Sequence, residues 1–411
     1  MKETVMTQPT RCPVPHGTRK TSRGDDDATP AVELVGTTWH VRGHDQVREV
    51  LRTGALQAGF ASETVQKNRP NARKPVLFAD GEEHRTQRRK IARFFAPATV
   101  DKRYRELMQT RADAMVAQIA AQGRADLAAV TMRYAVEVAA QVVGLTNSDT
   151  DAMAKRLSAF FEGTPPMAVD TGDQSRFARL ITMLRGTRLM APMMRFNRRD
   201  VAPAIAARRA NPQADVISHL IESGYTDEEI LMECLTYGAA GMVTTREFIS
   251  MATWHLLGDE ALRTQYLSAD EPGRFRILHE ILRLEPVVGH LYRRTTEALD
   301  LSDGTHLPAG ALVDLYLRAA NADESAVGSQ PLTLCPQREL GPGVRGEALS
   351  FGDGAHRCPG NAIAIQESDI FLTRLLALPL RLTSTPRLEW DELISGYAVR
   401  DIRLEVVPTN G

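Results

Sequence analysis

The chain has 411 residues, 43% of them apolar, with 50 Lys and Arg against 51 Asp and Glu. A net charge of −1 argues against a chain that holds nucleic acid or an anionic membrane surface by bulk charge. No stretch reaches the ~18 apolar residues that a membrane-spanning helix needs, and the length suffices to bury a large core with a sizeable ligand inside it.

Residues 1–30 are polar, contain the run Asp25–Asp26–Asp27 and lack the apolar centre of a signal peptide. They read as a poorly ordered leader of a cytoplasmic protein, ahead of a single domain over 31–411. Thr37–Val41 alternates and reads as a strand, His44–Arg52 as a short helix, and Glu82–Phe95 as a strongly basic helix. Ala125–Leu145 is an apolar helical run without Pro or Gly until Gly144. Pro165, Pro166 and Gly172 mark a loop between two helices.

Thr226 followed three residues later by Glu229 is a capping box. The helix it opens runs to Leu257, with Gly258 as its expected left-handed stop. About 31 residues at 1.5 Å each span roughly 47 Å, enough to cross a whole domain. Arg274–Leu284 is a further helix, ended by Pro286, and Val287–Val313 is strand-like with turns at Asp303–Gly304 and Pro308–Gly310. After Pro331 comes a Gly- and Pro-rich irregular stretch, then a helix over Asn361–Leu376 and strands over Leu393–Val407. The sum is a mainly α protein with small β-sheets (α+β).

The four cysteines are Cys12, Cys234, Cys335 and Cys358, with no C-x-x-C spacing, so neither a zinc site nor a redox pair is expected. A disulfide scaffold is not expected at this length in a reducing compartment. Cys358 lies in Phe351-Gly-Asp-Gly-Ala-His-Arg-Cys-Pro-Gly360. Gly352 and Gly354 permit a tight bend, and Pro359 suits the first position of a helix. A cysteine at a helix N-terminus is a ready thiolate, because the dipole and free N–H groups lower its pKa. Gly360 leaves room for a flat macrocycle. A lone buried cysteine is more often structural, but here F-G-x-G-x-H-x-C-x-G is matched in full.

This segment resembles the haem-binding loop of the cytochrome P450 family, the haem-thiolate monooxygenases, of the soluble bacterial type. The resemblance runs from about Trp39 to the C-terminus. It implies a triangular helical prism, with haem b between a long distal helix and a proximal cysteine loop. It implies Cys358 as the metal ligand and Phe351, Gly352 and Gly360 as parts of the cofactor loop. Glu280 and Arg283 share one helix face, a weak pattern by itself. The resemblance implies a buried network of the two with Arg338 of Leu334-Cys-Pro-Gln-Arg338, where the family usually has Phe and Asp in place of Leu334 and Cys335. Cys335 reads as a packed core residue. His84 and Arg88, four apart, lie together on a helix. Haem propionates need cationic or donor partners, and the resemblance implies His84, Arg88, Arg293 and His356 in that role. Arg294 leaves the choice of arginine open by one residue.

Inside the long helix lies Gly238-Ala-Ala-Gly241-Met-Val-Thr244-Thr245-Arg-Glu247. Two interior glycines cost about 1 kcal/mol each relative to Ala, and the threonines can bond the carbonyl one turn back. Such a stretch suits either close helix packing or a helix passing over a cofactor. Ala240, Gly241 and Thr244 match the family pattern A-G-x-[DE]-T; Val243 stands where the acid belongs. In the family, that acid and threonine route protons to bound dioxygen. Glu247, angled back toward the N-terminus, is a candidate substitute acting through water. The plainer reading is that it faces solvent or pairs with Arg246. Ala240, Gly241, Thr244 and Glu247 are therefore the candidate catalytic residues, and the substrate itself is a further candidate for proton delivery.

The resemblance implies oxidation of a small organic molecule, in natural-product biosynthesis, by dioxygen and two electrons. A separate ferredoxin and ferredoxin reductase are expected as donors to a monomer. Arg85, Arg89 and Arg93 form a basic stripe that either docks the ferredoxin or is simply solvated. The substrate pocket is expected to draw on Ala58–Phe78 and Phe160–Asn197. Met153, Met167, Met183, Met190, Met193 and Met194 supply adaptable apolar packing. Two alternatives stand beside this reading: oxidative C–C or C–N coupling or cyclisation of an aromatic natural product, and a non-catalytic haem-based ligand sensor.

Overall fold

A computed structural model describes residues 14–21, 30–59, 62–63, 73–162, 191–391 and 394–407. Helices dominate, and the strands gather into small sheets. In chain order the elements that matter here begin with β1 (Val32–Val35), β2 (Thr38–Val41), α1 (His44–Arg52) and β3 (Leu56–Gln57). They continue with α2 (Gly81–Phe95), α3 (Arg105–Gln122), β4 (Arg124–Asp126) and α4 (Leu127–Val143). Asp126 starts α4 by accepting from Ala129 N, and Gly144, at φ 102°, ends it. A Cβ on Gly144 would sit 2.6 Å from the Asp215 carboxyl, so glycine is required there twice over.

The capping box of Thr226 and Glu229 is present and opens α5 (Asp227–Tyr237). The long helix is not α throughout. A π-helical stretch, Gly238–Val243, separates α5 from α6 (Thr244–Gly258), and such bulges concentrate at functional sites. Gly258 is the last helical residue rather than a left-handed stop: the chain turns at Asp259, whose carboxylate accepts from Leu262 N and opens α7 (Glu260–Ser268). Next, α8 (Glu271–Leu284) starts three residues before the expected Arg274, because Asp270 caps it and Pro272 fits its first turn.

Strands β5 (His290–Arg294), β6 (Leu299–Asp300), β7 (His306–Leu307) and β8 (Leu312–Tyr316) follow, then α9 (Asn361–Leu376). The last strands are β9 (Leu380–Leu382), β10 (Arg387–Asp391), β11 (Gly396–Arg400) and β12 (Arg403–Val406). The largest sheet has the order β1-β2-β8-β5-β3, with β2 parallel to β8 and the other pairs antiparallel. One apolar core fills the space between the helices; a second, with Val41, Val50, Leu307, Val313 and Leu315, lies under this sheet. Strand pairing sets Gln57 opposite Arg293, which brings two distant segments to the edge of the site.

The expected disordered leader is corrected where the structure describes it. Residues 14–21 run along 332–334, through His16 N to Leu334 O (3.0 Å), Leu334 N to Gly17 O (2.8 Å) and Arg19 N to Leu332 O (2.9 Å). Thr21 Oγ1 donates to the buried Glu285 carboxylate (2.5 Å), which His255 also meets. Ordered polar contacts, invisible in composition, hold this segment down. The expectation of no disulfide is corrected as well: Cys335 is buried and disulfide-bonded, whereas Cys234 and Cys358 are free. Pro165, Pro166, Gly172, Met167, Met183, Met190 and much of the two expected pocket segments lie outside the described residues. Met153 is buried in the core and Met194 is half exposed. Among the described residues no helix is long and apolar enough to cross a membrane.

Candidate active site

Cys358 is presented by a loop that the backbone itself holds. Its N–H donates to Phe351 O (2.8 Å), and Gly352 and Gly354 take φ of 69° and 65°. A Cβ on Gly354 would lie 2.1 Å from Leu51 O, so α1 permits no other residue at that point. The helix after the cysteine begins later than expected. Gly360 is the N-cap and Asn361 the first residue of α9, so Cys358 precedes the cap by two positions. Burial pushes the Cys358 thiol up, opposed by the Gly360 N–H, Arg88 and Arg357.

Behind this loop, Glu280 and Arg283 form a bidentate pair at 2.6 and 2.8 Å, and Arg338 Nε meets Glu280 at 3.1 Å. Cys335, at the position where an acid is usual, donates its N–H to the same carboxylate (2.9 Å). Arg283 is fully buried and also donates to Asn321 O and Pro331 O. Asn321 and Ser350 carry the network into the cysteine loop: Asn321 Nδ2 donates to Ser350 Oγ (2.7 Å), which donates to Leu282 O.

At one edge of the loop four basic groups converge. The His84 and His356 rings stack with centroids 3.8 Å apart and planes 15° apart. Burial and the neighbouring His356 and Arg88 push the His84 pKa down to about 4. Arg88 donates to Arg357 O (2.5 Å), and Arg293 to Gln57 Oε1 (2.5 Å) and Tyr292 O. Burial pushes the Arg293 pKa down to about 10, Asp80 opposing. The choice between neighbouring arginines resolves: Arg293 is buried with this cluster, whereas Arg294 points away and pairs with Glu63 (2.5 Å). Neither Arg88 nor Arg293 has a carboxylate partner within salt-bridge distance among the described residues. Two guanidinium groups without counter-ions are a fitting seat for the two carboxylates of a haem.

On the distal side, Ala240 is exposed and Gly241 and Thr244 are half exposed, although Gly238, Met242 and Val243 around them are buried. The long helix therefore keeps an accessible face here. A Cβ at Gly241 would meet only Ala139, at 3.9 Å. Thr244 Oγ1 donates to Ala240 O (2.6 Å), the expected bond to the carbonyl one turn back. Glu247 is not on this accessible face. Its buried carboxylate accepts from Arg246 Nε (2.7 Å), Arg400 (2.8 Å) and Val399 N (2.6 Å), which anchors β11 to α6. The proton-substitute reading of Glu247 is corrected: both oxygens are committed to structure.

Sequence reasoning missed Glu367. This acid lies on the buried face of α9, accepts from Thr245 Oγ1 (3.0 Å) and leaves its Oε2 unpartnered. Burial pushes its pKa well up. The signal was there: a glutamate at a core-facing position between Ile363 and Ile370. Asp80, at the N-cap position of α2 but bonded to Gln57 N rather than to the helix, and 3.6 Å from His356, was also passed over. The basic stripe is only partly free. Arg85 and Arg89 both pair with Glu82, and Arg93 reaches His219 Nδ1 (3.2 Å).

A family model for cytochrome P450 matches residues 35–261 and 276–378. The chain belongs to the cytochrome P450 family. Erythromycin C-12 hydroxylase of Saccharopolyspora erythraea is 27% identical over 84% of this chain and 83% of its own length. Pulcherriminic acid synthase of Bacillus subtilis is 26% identical over 84% of each chain. Among solved structures, a mutant of P450 EryK in complex with erythromycin B superposes with TM-score 0.73 at 23% identity, covering 92% of this P450 and 94% of that chain. CalO2 gives TM-score 0.74 at 20% identity, covering 92% and 93%. The fold is thus the P450 fold, with its haem b, and the enzyme is a monooxygenase of bacterial type acting on a small molecule with dioxygen and a redox partner. That outcome sets aside the ligand-sensor reading.

Proposed function

We propose that Cys358 would ligate the iron of haem b through its sulfur, that His84, Arg88, Arg293 and His356 would hold the propionates, and that the enzyme tailors a natural product. The carrying observation is the convergence of a free cysteine with two guanidinium groups that lack a carboxylate partner among the described residues. The haem, when bound, supplies dioxygen activation. The chain's part is to seat it, to donate electron density through the Cys358 sulfur, and to manage protons and water on the distal side. Gly238–Val243 shapes the distal face of the helix, and Thr244 presents a hydroxyl beside it. With Val243 aliphatic and Glu247 committed, Glu367 is an acid tied to the distal helix at Thr245, and burial, which pushes its pKa well up, favours its protonated form. Electrons come from a separate ferredoxin with its reductase, docking over the exposed Arg85 and Arg89.

A second reading, oxidative coupling or cyclisation, is favoured by the aliphatic Val243, because substrate radicals recombine without an inserted oxygen. Product analysis under labelled dioxygen separates the two: label in the product supports tailoring by oxygen insertion, and its absence supports coupling. The haem seat is tested by reduction under carbon monoxide. A thiolate-type Soret shift, lost in Cys358→Ser, is expected; an unchanged spectrum in that variant overturns the assignment.

A further inference from the structure

The cysteine loop carries a buried carboxylate, Asp353, between Gly352 and Gly354 (4% exposed). Three arginines from two other segments meet it. Arg52, the last residue of α1, donates Nε to Oδ2 (2.8 Å), and Arg48, one turn earlier, brings its Nε within 3.5 Å of the same oxygen. Arg345, from the irregular stretch before the loop, donates Nη1 to Oδ1 (3.3 Å). The Gly354 N–H bonds the carboxylate as well. Among the described residues no other carboxylate is within salt-bridge distance of these three arginines. Arg357, on the same loop, instead pairs one to one with Glu347 (3.0 Å). Three guanidinium groups repel one another unless an anion sits between them, so Asp353 is what gathers these segments.

We infer that Asp353 is a positioning residue for the Cys358 sulfur: it pins the cysteine loop to α1 and Arg345, and its buried negative charge holds down the reduction potential of the iron. This rests on the reading that Cys358 ligates that iron. The connection is short. Cys358 N is 2.8 Å from Phe351 O, and Phe351 is two residues from Asp353. Two residues of chain reach about 7 Å, so the Asp353 backbone lies within about 10 Å of the Cys358 nitrogen. The pin acts where the loop already abuts α1, because Gly354 has no room for a Cβ beside Leu51 O.

The surroundings keep the carboxylate charged. Burial opposes ionisation, but the Gly354 N–H, Arg52 and Arg345 hold the Asp353 carboxyl below the usual carboxylate range. The sign of its effect follows from charge alone. Reduction adds an electron to the iron, which a nearby anion opposes and a nearby cation favours. At about 10 Å and an effective dielectric constant of about 20, one unit charge changes such an equilibrium by roughly tenfold. A purely mechanical pin has no such sign: cutting it from the Asp353 side or from the arginine side would loosen the loop alike.

The test is the ferric–ferrous reduction potential of the full-length holoenzyme, by anaerobic titration, beside Asp353→Asn, Asp353→Glu and Arg52→Gln. Asp353→Asn keeps the shape and an acceptor oxygen. It should shift the equilibrium toward ferrous by up to about tenfold, or about 59 mV for one electron. Asp353→Glu keeps the charge and should stay within about twofold of native. Arg52→Gln should shift the equilibrium toward ferric, by less, because Arg52 is half exposed and screened. An unmoved potential in Asp353→Asn, or shifts of the same sign in Asp353→Asn and Arg52→Gln, overturns the inference. Should Asp353→Asn fail to load haem, Arg52→Gln and Arg345→Gln, both at exposed positions, decide by sign: a shift toward ferric supports the inference and any other result overturns it. The carbon monoxide spectrum of the same samples separates the two readings. A native protein without a thiolate band fails the Cys358 assignment; a native band with an unmoved Asp353→Asn potential fails the Asp353 role alone.

Discussion

The proximal and distal halves of the site are built on opposite terms. Around Cys358 the polar groups are mostly saturated: Glu280, Arg283, Arg338, Asn321 and Ser350 form one network, and Gly354 lies against the α1 backbone with no room to spare. Across the distal helix the bonding is sparse. The π-stretch Gly238–Val243 leaves Ala240 and Gly241 accessible, with Thr244 just after it, and Glu233 and Glu367 each keep an unpartnered oxygen. A metal seat must hold one geometry, and dense hydrogen bonding does that. A surface that admits substrate and moves protons needs slack and titratable groups instead.

That contrast orders the expected effects. Glu280→Ala strands the fully buried Arg283 and should cost about 3–5 kcal/mol, with loss of stable haem incorporation, read by thermal unfolding and haem content. Survival of a normally loaded protein would show the proximal network to be dispensable. Arg293→Ala should sharply weaken haem retention on apomyoglobin challenge, while Arg294→Ala, on the opposite side of the strand, should change stability by no more than about 1 kcal/mol. Equal effects would dissolve the distinction between the two arginines.

Glu247→Gln should destabilise the β11 anchor by about 1–3 kcal/mol and leave the ratio of product to peroxide unchanged. Glu367→Gln should do the reverse, raising peroxide leakage with little change in stability. If the two variants exchange these phenotypes, the proton route has been placed on the wrong acid. The smallest effect on the fold is expected from Arg89→Glu. It should leave stability and substrate affinity alone and slow ferredoxin-driven turnover, more at low salt than at high salt.

Much of the proximal half was legible in the sequence because it is written in short, contiguous motifs. Phe351–Gly360 needs only local backbone and one cysteine, and the Glu280 and Arg283 pair needs only helical spacing. The helices over His44–Arg52 and Asn361–Leu376 were visible for the same reason, since local periodicity decides them. What stayed hidden depends on contacts across long separations. Glu247 meets Arg400 and Val399 only after the C-terminal hairpin folds back on α6. Thr245 and Glu367 are 122 positions apart. Arg293 and Arg294 differ only in which way the strand faces, which pairing with Gln57 decides. The same holds for residues 14–21, whose partners at 332–334 and Glu285 no local pattern announces.

The most direct measurement is the spectrum of the purified protein reduced under carbon monoxide, taken beside Cys358→Ser and Arg293→Ala. The expected result is a thiolate-type Soret band in the native protein and in whatever haem Arg293→Ala retains, and none in Cys358→Ser. A native protein without haem, or the same band in the serine variant, would contradict sulfur ligation by residue 358.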